Sequence, residues 1–154
     1  MERCSGCGWT VEGGTDGCRD RFNQLLARDF SDARFFRKHR LFVDTYCLQH
    51  PDEYCASAKS LAAHLSGLCA IMEKGASPAA GPQSLHRWLS GPRELTKPPL
   101  PRSRGAMTIG DLPETHDPAE WDAAVQKWAE QTWAAYTSVH DTAREWLRLS
   151  EAVS

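Results

Sequence analysis

The chain lacks any apolar run that approaches the ~20 residues a membrane-spanning helix requires. Its N-terminus also lacks the apolar core of a secretory signal peptide. These absences predict a cytoplasmic protein that does not enter a membrane. In such a reducing compartment, its six cysteines are interpreted as metal ligands, reactive thiols or small buried apolar groups, and not as three disulfides.

A broad basic surface is also missing. The formal net charge is −2, and the basic clusters at 34–40 and 102–104 are short and neighbour acidic residues. This argues against a nucleic-acid partner, because nucleic-acid binding usually needs a net basic patch. An unknown protein or a small-molecule ligand remains as the predicted partner.

Several catalytic motifs are absent as well. The chain contains no G-x-S-x-G, P-loop, dinucleotide fingerprint or H-E-x-x-H sequence. The common serine-nucleophile, nucleotide-binding and zinc-protease classes are therefore excluded. An enzyme whose metal ligands are dispersed along the chain is not excluded.

What is present is the composition of a globular protein of 154 residues, with 41% hydrophobic and 25% charged residues. This size fits one domain spanning residues 1–154. Apolar periodicity predicts helices over about 19–30, 32–49 and 57–74, and no strand pair is evident. The predicted organisation is a Cys/Gly-rich metal-binding loop over 1–18, three helices within 19–74, a Pro-rich connection over 75–107 and a C-terminal helix over 118–149.

The C-terminal helix is the most clearly predicted element. One stripe at helical spacing carries Trp121, Val125, Trp128, Thr132, Ala135, Val139 and Trp146. Further apolar residues widen this face, and charged residues lie opposite. A face this wide packs against more than one neighbour. The predicted fold class is all-α: a compact helical bundle with an N-terminal zinc-knuckle loop and a long Trp-rich C-terminal helix.

Cys4 and Cys7 have the spacing of one half of a tetrahedral zinc site. Two thiolates separated by two residues can point at one ion, and the glycines beside them relieve the tight turn. A second C-x-x-C pair, which would make the signal strong, is absent. A reduced disordered tail and a redox C-x-x-C pair are the competing interpretations. Zn²⁺ is the favoured one.

The remaining zinc ligands must then be scattered along the chain. The candidates are Cys18, His39, His50 and His64. Cys18 lies near the predicted start of a helix, whose dipole favours a thiolate. His39 and His50 are separated by three helical turns, about 16 Å, so both cannot bind one ion without a break in the helix. His50 has the freer geometry at a helix end, which favours the ligand set Cys4, Cys7, Cys18 and His50.

Other polar residues on the predicted inward faces could surround the metal or line a pocket. These residues are His39, Asp44, Tyr46, His64 and His140. A chain of polar groups between helices can bind a small polar ligand or a second metal. Alternatively, a neighbouring carboxylate or carbonyl simply holds each buried histidine. Cys47 and Cys69 fall on apolar helical faces, where a buried thiol is the ordinary explanation.

Taken together, these motifs resemble an uncharacterised bacterial family that is described only as a domain of unknown function. The resemblance is carried by the C-x-x-C-G opening, V-D-x-Y at 43–46, Q-H-P at 49–51 and H-L at 64–65. It implies no reaction. It does favour a special set of residues, namely Cys4, Cys7, Cys18, His39, Asp44, Tyr46, His50 and His64. Cys47 departs from the family pattern, which makes it a poor ligand candidate.

Three functions are consistent with these residues. The first is a non-enzymatic zinc protein in which four protein ligands tie the N-terminal loop to the bundle. The second is a metal-dependent enzyme, of which a hydrolase is the favoured kind, with three protein ligands, one bound water, and Asp44 or His64 as general base. The third is a thiol-based redox sensor that loses zinc when Cys4 or Cys7 is oxidised.

Overall fold

The computed structural model describes residues 1–152 and confirms a helical bundle. Within these residues the helices are α1 (Thr15–Ser31), α2 (His39–Gln49), α3 (Pro51–Tyr54), α4 (Ala58–Lys74), α5 (Gln83–Ser90), α6 (Pro118–Ala135) and α7 (His140–Ala152). Short 3₁₀ helices cover Ala33–Lys38, Ile109–Asp111 and Thr137–Val139. Within the described residues, no helix combines the length and the hydrophobicity that a membrane-spanning segment needs.

The centre of the bundle is α2. This helix packs against α4 on one side and α6 on another, while α7 packs against α4 and α5. Every residue of α2 from Asp44 to Gln49 is buried, and the indoles of Trp121 and Trp128 on α6 are fully enclosed. Because α2 is surrounded by other elements, its polar residues need partners within the protein.

The chain begins with a small hairpin that the sequence did not predict. Strand β1 (Glu2–Arg3) pairs antiparallel with β2 (Thr10–Val11), so that Glu2 lies opposite Val11. Two-residue strands are too short to show an alternating pattern, which explains why they were missed. The hairpin holds residues 4–9 as a closed loop at the N-terminal end of α1.

Helix termini follow local capping chemistry. The Ser57 side chain accepts a hydrogen bond from the Ser60 N–H at the start of α4, and Gly75 ends that helix with a left-handed conformation (φ 69°). Asp32 likewise accepts from the Arg34 N–H, although a 3₁₀ turn and not an α-helix follows it. Helix α1 begins four residues earlier than predicted, directly after the turn at Gly14.

The predicted continuous helix over 118–149 is wrong. The structure ends α6 at Ala135, inserts a 3₁₀ turn and begins α7 at His140. The buried Tyr136 hydroxyl donates to the Leu48 carbonyl, and the Thr137 hydroxyl donates back to the Ala134 carbonyl at 2.6 Å. These contacts favour a bend over straight propagation, and the bend turns α7 against α4.

The end of the Pro-rich connection is fixed to the buried end of α2. The Gln49 side-chain amide donates to the carbonyls of Arg104 (3.0 Å) and Met107 (2.7 Å). Its oxygen accepts from the Trp128 indole N–H at 3.0 Å. Residues 102–105 are thereby held beside the N-terminal hairpin.

Candidate metal centre

Three structural elements bring the predicted ligand set together. Cys4 and Cys7 lie in the hairpin loop, Cys18 lies in the first turn of α1, and His50 follows the last residue of α2. Within the loop, the Cys4 N–H donates to the Trp9 carbonyl at 2.8 Å, and the Gly8 N–H donates to the Cys4 carbonyl at 3.0 Å. The loop therefore turns both thiols toward α1 and α2.

The four donor atoms form a compact group. The three sulfur atoms and one histidine nitrogen all lie within 4.8 Å of one another. The sulfurs of Cys7 and Cys18 are 3.9 Å apart, and the Cys18 sulfur is 3.5 Å from His50 Nε2. Cys4, Cys18 and His50 are buried, whereas Cys7 is half-buried. This group could hold a metal ion.

The orientation of the His50 ring is fixed from behind. Its Nδ1 atom lies 2.7 Å from the Tyr46 carbonyl, and since a carbonyl only accepts, Nδ1 carries the hydrogen. The lone pair of neutral imidazole then lies on Nε2, which points at the sulfur group. A histidine that ligates a metal is commonly oriented in this way.

Tyr46 joins the group as a neighbour of two ligands. Its ring stacks on His50 with centroids 3.9 Å apart, and its hydroxyl lies 3.3 Å from the Cys18 sulfur. Burial raises the pKa of Tyr46, so the phenol stays protonated. It can therefore donate a hydrogen bond to a thiolate at Cys18.

The thiols do not behave alike. A hydrogen bond from Cys18 lowers the pKa of Cys7 to about 4 against the opposing effect of burial, with further lowering from His50 and the Trp9 backbone. The pKa of Cys18 is raised, because this thiol donates to Cys7 and is itself buried. A lowered pKa at Cys7 favours the thiolate, which is the form of cysteine that binds a metal.

The absence of a side chain at Gly6 allows the loop to approach α2. A β-carbon at this position would overlap the His50 imidazole, standing 3.0 Å from its Cγ atom and 3.1 Å from the Gln49 carbonyl oxygen. Gly6 therefore sets how closely the Cys4–Cys7 loop and His50 can meet.

Replacing this glycine tests the close approach. We expect Gly6→Ala to push His50 away from the three sulfurs and to weaken metal binding about tenfold or more, because a ligand moved by an ångström loses its bond. Competition with a colorimetric chelator would measure the affinity. Gly75→Ala, at the exposed end of α4, is the control and should leave the affinity unchanged. Equal affinities for the Gly6 variant and the unaltered protein would contradict this role.

A second polar cluster lies between α2 and α4. One oxygen of the fully buried Asp44 is 2.9 Å from His64 Nδ1 and 2.9 Å from an Arg40 guanidinium nitrogen. Its other oxygen is buried and has no hydrogen-bond partner. That oxygen faces Gly67, where a β-carbon would stand 2.9 Å away, so the glycine leaves room for the carboxylate.

The remaining predicted pocket residues lie elsewhere. His39 Nδ1 pairs with the buried Asp29 carboxylate at 2.9 Å. His140 donates to the Trp133 carbonyl at 2.7 Å and stacks on the Trp133 ring. Asp44 and His64 thus form one cluster, whereas His39 and His140 lie outside it and do not join them in a common pocket. Instead, each histidine has its own partner, which was the alternative considered from the sequence.

The other three cysteines are outside the metal group. Cys47, Cys55 and Cys69 are buried free thiols. Burial raises the pKa of each, that of Cys55 and of Cys69 to about 12. They therefore stay protonated and pack as small apolar groups, as predicted for Cys47 and Cys69.

The sequence did not reveal that the Pro-rich connection contacts the hairpin loop. An Arg104 guanidinium nitrogen donates to the Gly6 carbonyl at 3.3 Å. This contact joins residues 98 positions apart, and no local pattern encodes such a pairing. The short basic cluster at 102–104 indicates local positive charge, but it does not indicate which segment it contacts.

Comparisons with known proteins agree with the resemblance inferred from the motifs. The model of a family of unknown function, DUF5946, matches residues 2–137. That stretch includes the four residues of the metal group and the Asp44–His64 cluster. No curated protein and no solved structure matches the chain. The chain therefore belongs to the DUF5946 family of unknown function.

Proposed function

We propose that this protein is a zinc protein in which one Zn²⁺ ion, bound by Cys4, Cys7, Cys18 and His50, ties the N-terminal hairpin to the helical bundle. The ion would join three segments: the hairpin, the start of α1 and the end of α2. Metal binding and folding of the N-terminal region are then one coupled equilibrium.

The spacing of the donor atoms carries this proposal. A tetrahedral zinc ion with sulfur at ~2.3 Å and nitrogen at ~2.05 Å separates two sulfurs by about 3.8 Å and a sulfur from a nitrogen by about 3.6 Å. The corresponding distances here are 3.9 Å between Cys7 and Cys18 and 3.5 Å between Cys18 and His50. These two pairs are therefore spaced as in a zinc tetrahedron, and all four donors lie within 4.8 Å of one another.

The donor set favours zinc with a structural role. Three cysteines and one histidine are a common ligand set of structural zinc sites, which are closed by four protein ligands. A catalytic site would keep one position for water. Two hydrogen bonds orient the ligands from outside the donor group. The Tyr46 hydroxyl contacts the Cys18 sulfur, and His50 Nδ1–H donates to the Tyr46 carbonyl. Such hydrogen bonds fix the orientation of ligands in metal sites.

Metal analysis of the protein purified without added metal tests the proposal. We expect one zinc ion per chain, and removal of that zinc by a chelator should lower the melting temperature, with recovery after zinc is added back. The Cys4→Ser variant should contain less zinc and melt earlier. A full-length preparation that contains no zinc and takes up none would contradict the proposal.

The two alternatives predict other outcomes. A hydrolytic enzyme would show three protein ligands and one water at the metal. A redox sensor would release zinc under peroxide and regain it after reduction, with half-buried Cys7 as the most accessible sulfur. Neither alternative is favoured by the four closely spaced donors.

A further inference from the structure

An arginine-rich cavity lies on the solvent side of the candidate metal centre. Its volume is about 400 Å³, and its walls are residues 3–8 of the hairpin and residues 102–105 of the Pro-rich connection. We call this cavity the arginine pocket, after Arg3, Arg102 and Arg104. A volume of this size lies within the range of small-molecule sites.

The arginine pocket carries three cationic side chains, whose charge is offset only in part by the thiolates of Cys4 and Cys7 that also line it. No aspartate or glutamate is among its lining residues. Within residues 1–152, none of the three arginines forms an ion pair, whereas arginines elsewhere, such as Arg40 and Arg144, pair with carboxylates. In a chain with a formal net charge of −2, the pocket therefore places three arginines without carboxylate partners around one cavity.

Arg104 also has an unused donor. One of its guanidinium nitrogens donates to the Gly6 carbonyl, but its Nε atom is buried and has no hydrogen-bond partner. A buried donor without an acceptor costs free energy. Arg3 packs against Gly8 on the opposite wall, where a β-carbon would stand 3.0 Å from its Nη2 atom.

We propose that the arginine pocket binds a small phosphate monoester. A guanidinium fork matches phosphate oxygens, and three forks arranged around one cavity suit a tetrahedral dianion. A carboxylate carries one charge and is satisfied by one fork, so it matches the pocket less well. The size of the cavity fits a small molecule and not an extended nucleic-acid strand.

The pocket is largely formed before a ligand arrives. Gln49 anchors the backbone at Arg104 and Met107, and Arg3 lies in strand β1, which pairs with β2 and is followed by a loop closed by its own hydrogen bonds. The proposal depends on the proposed function in one respect, because the metal would hold the hairpin wall in place. With the wall held in place, ligand binding to the pocket would not require the hairpin to fold at the same time.

Phenyl phosphate is the probe for the test, since it is a simple monoester and a weak zinc chelator. We would titrate it into the full chain by calorimetry at constant ionic strength and determine the zinc content of the same samples. Saturable binding to one site is expected, while benzoate, which presents the same ring with a carboxylate, should bind at least tenfold more weakly. Each arginine contact should be worth about tenfold in affinity.

Three variants assign the site. Arg102→Gln and Arg3→Gln alter exposed side chains and should each weaken phenyl phosphate about tenfold or more without changing the melting temperature. Arg87→Gln, on the exposed side of α5, is the matched control and should bind normally. Equal losses in all three variants, or no saturable binding to zinc-loaded protein, would overturn the proposal.

Two further outcomes separate this proposal from the proposed function. Binding of phenyl phosphate by protein that neither contains zinc nor takes it up would support the arginine pocket and contradict the zinc site. Tight binding of a twelve-nucleotide single strand, without binding of phenyl phosphate, would overturn the small-molecule assignment.

Discussion

Cys18→Ser should abolish zinc binding and lower the melting temperature by about 10 °C. Cys18 is fully buried and contacts the Cys7 sulfur, His50 and Tyr46, so no other side chain can take its place. A ligand present at a thousand times its dissociation constant stabilises the folded state by about 4 kcal/mol. For a protein of this size, each 1 kcal/mol corresponds to about 2–4 °C.

Cys69→Ser is the matched control for this experiment. Cys69 is as buried as Cys18, and the substitution replaces the same thiol by the same hydroxyl. Cys69 lies on α4, away from the metal group. We expect this variant to keep one zinc per chain and to lose stability only through the burial of a hydroxyl. Zinc content and melting temperature should be measured on both proteins in parallel. Equal zinc content in the two variants would remove Cys18 from the site.

Asp44→Ala should lower the free energy of unfolding by about 3 kcal/mol while the zinc content stays at one per chain. The carboxylate is fully buried, accepts a hydrogen bond from His64 and forms an ion pair with Arg40. Hydrogen bonds to charged groups are worth about 1.5–3 kcal/mol each, and the lost side chain also leaves a void beside Gly67. Urea unfolding monitored by tryptophan fluorescence would measure the change.

Asp16→Ala supplies the comparison for a surface charge. Asp16 pairs with Arg19 at 3.1 Å but is exposed, and such a pair contributes at most about 1 kcal/mol. If Asp44→Ala were no more destabilising than Asp16→Ala, the Asp44–His64 cluster would not stabilise the fold. If Asp44→Ala lost its zinc, the cluster would be linked to the metal centre, contrary to the separate arrangement described above.

Helices were predictable wherever local chemistry defines them. Ser57 and Gly75 mark the two ends of α4 through capping groups that depend on few neighbours. The break at Tyr136 was not predictable, because it depends on a hydrogen bond to Leu48 in α2. An apolar stripe continues across the break, so periodicity alone cannot detect it.

The four residues of the metal group could be selected from the sequence for different reasons. The C-x-x-C spacing indicates Cys4 and Cys7, and the helix start indicates Cys18. His39 and His50 are too far apart along a helix to bind one ion together, and the position of His50 at a helix end favours it over His39. Their actual convergence depends on how the hairpin packs on α1 and α2, which no local pattern specifies.

The surroundings of the site were harder to predict. Tyr46 was assigned to the neighbourhood of the metal and does contact Cys18. His39 was assigned there too, but it pairs with Asp29 at the far end of α2. The approach of Arg104 to Gly6 joins distant parts of the chain, so only the folded structure shows the arginine pocket.

X-ray absorption at the zinc edge of the zinc-loaded protein tests the central proposal most directly. The Cys4–Cys7–Cys18–His50 site predicts three sulfur neighbours at about 2.3 Å and one imidazole nitrogen at about 2.0 Å, with no oxygen in the first coordination shell. A spectrum with fewer than three sulfurs, or with an oxygen replacing one of the four protein ligands, would contradict a closed structural site.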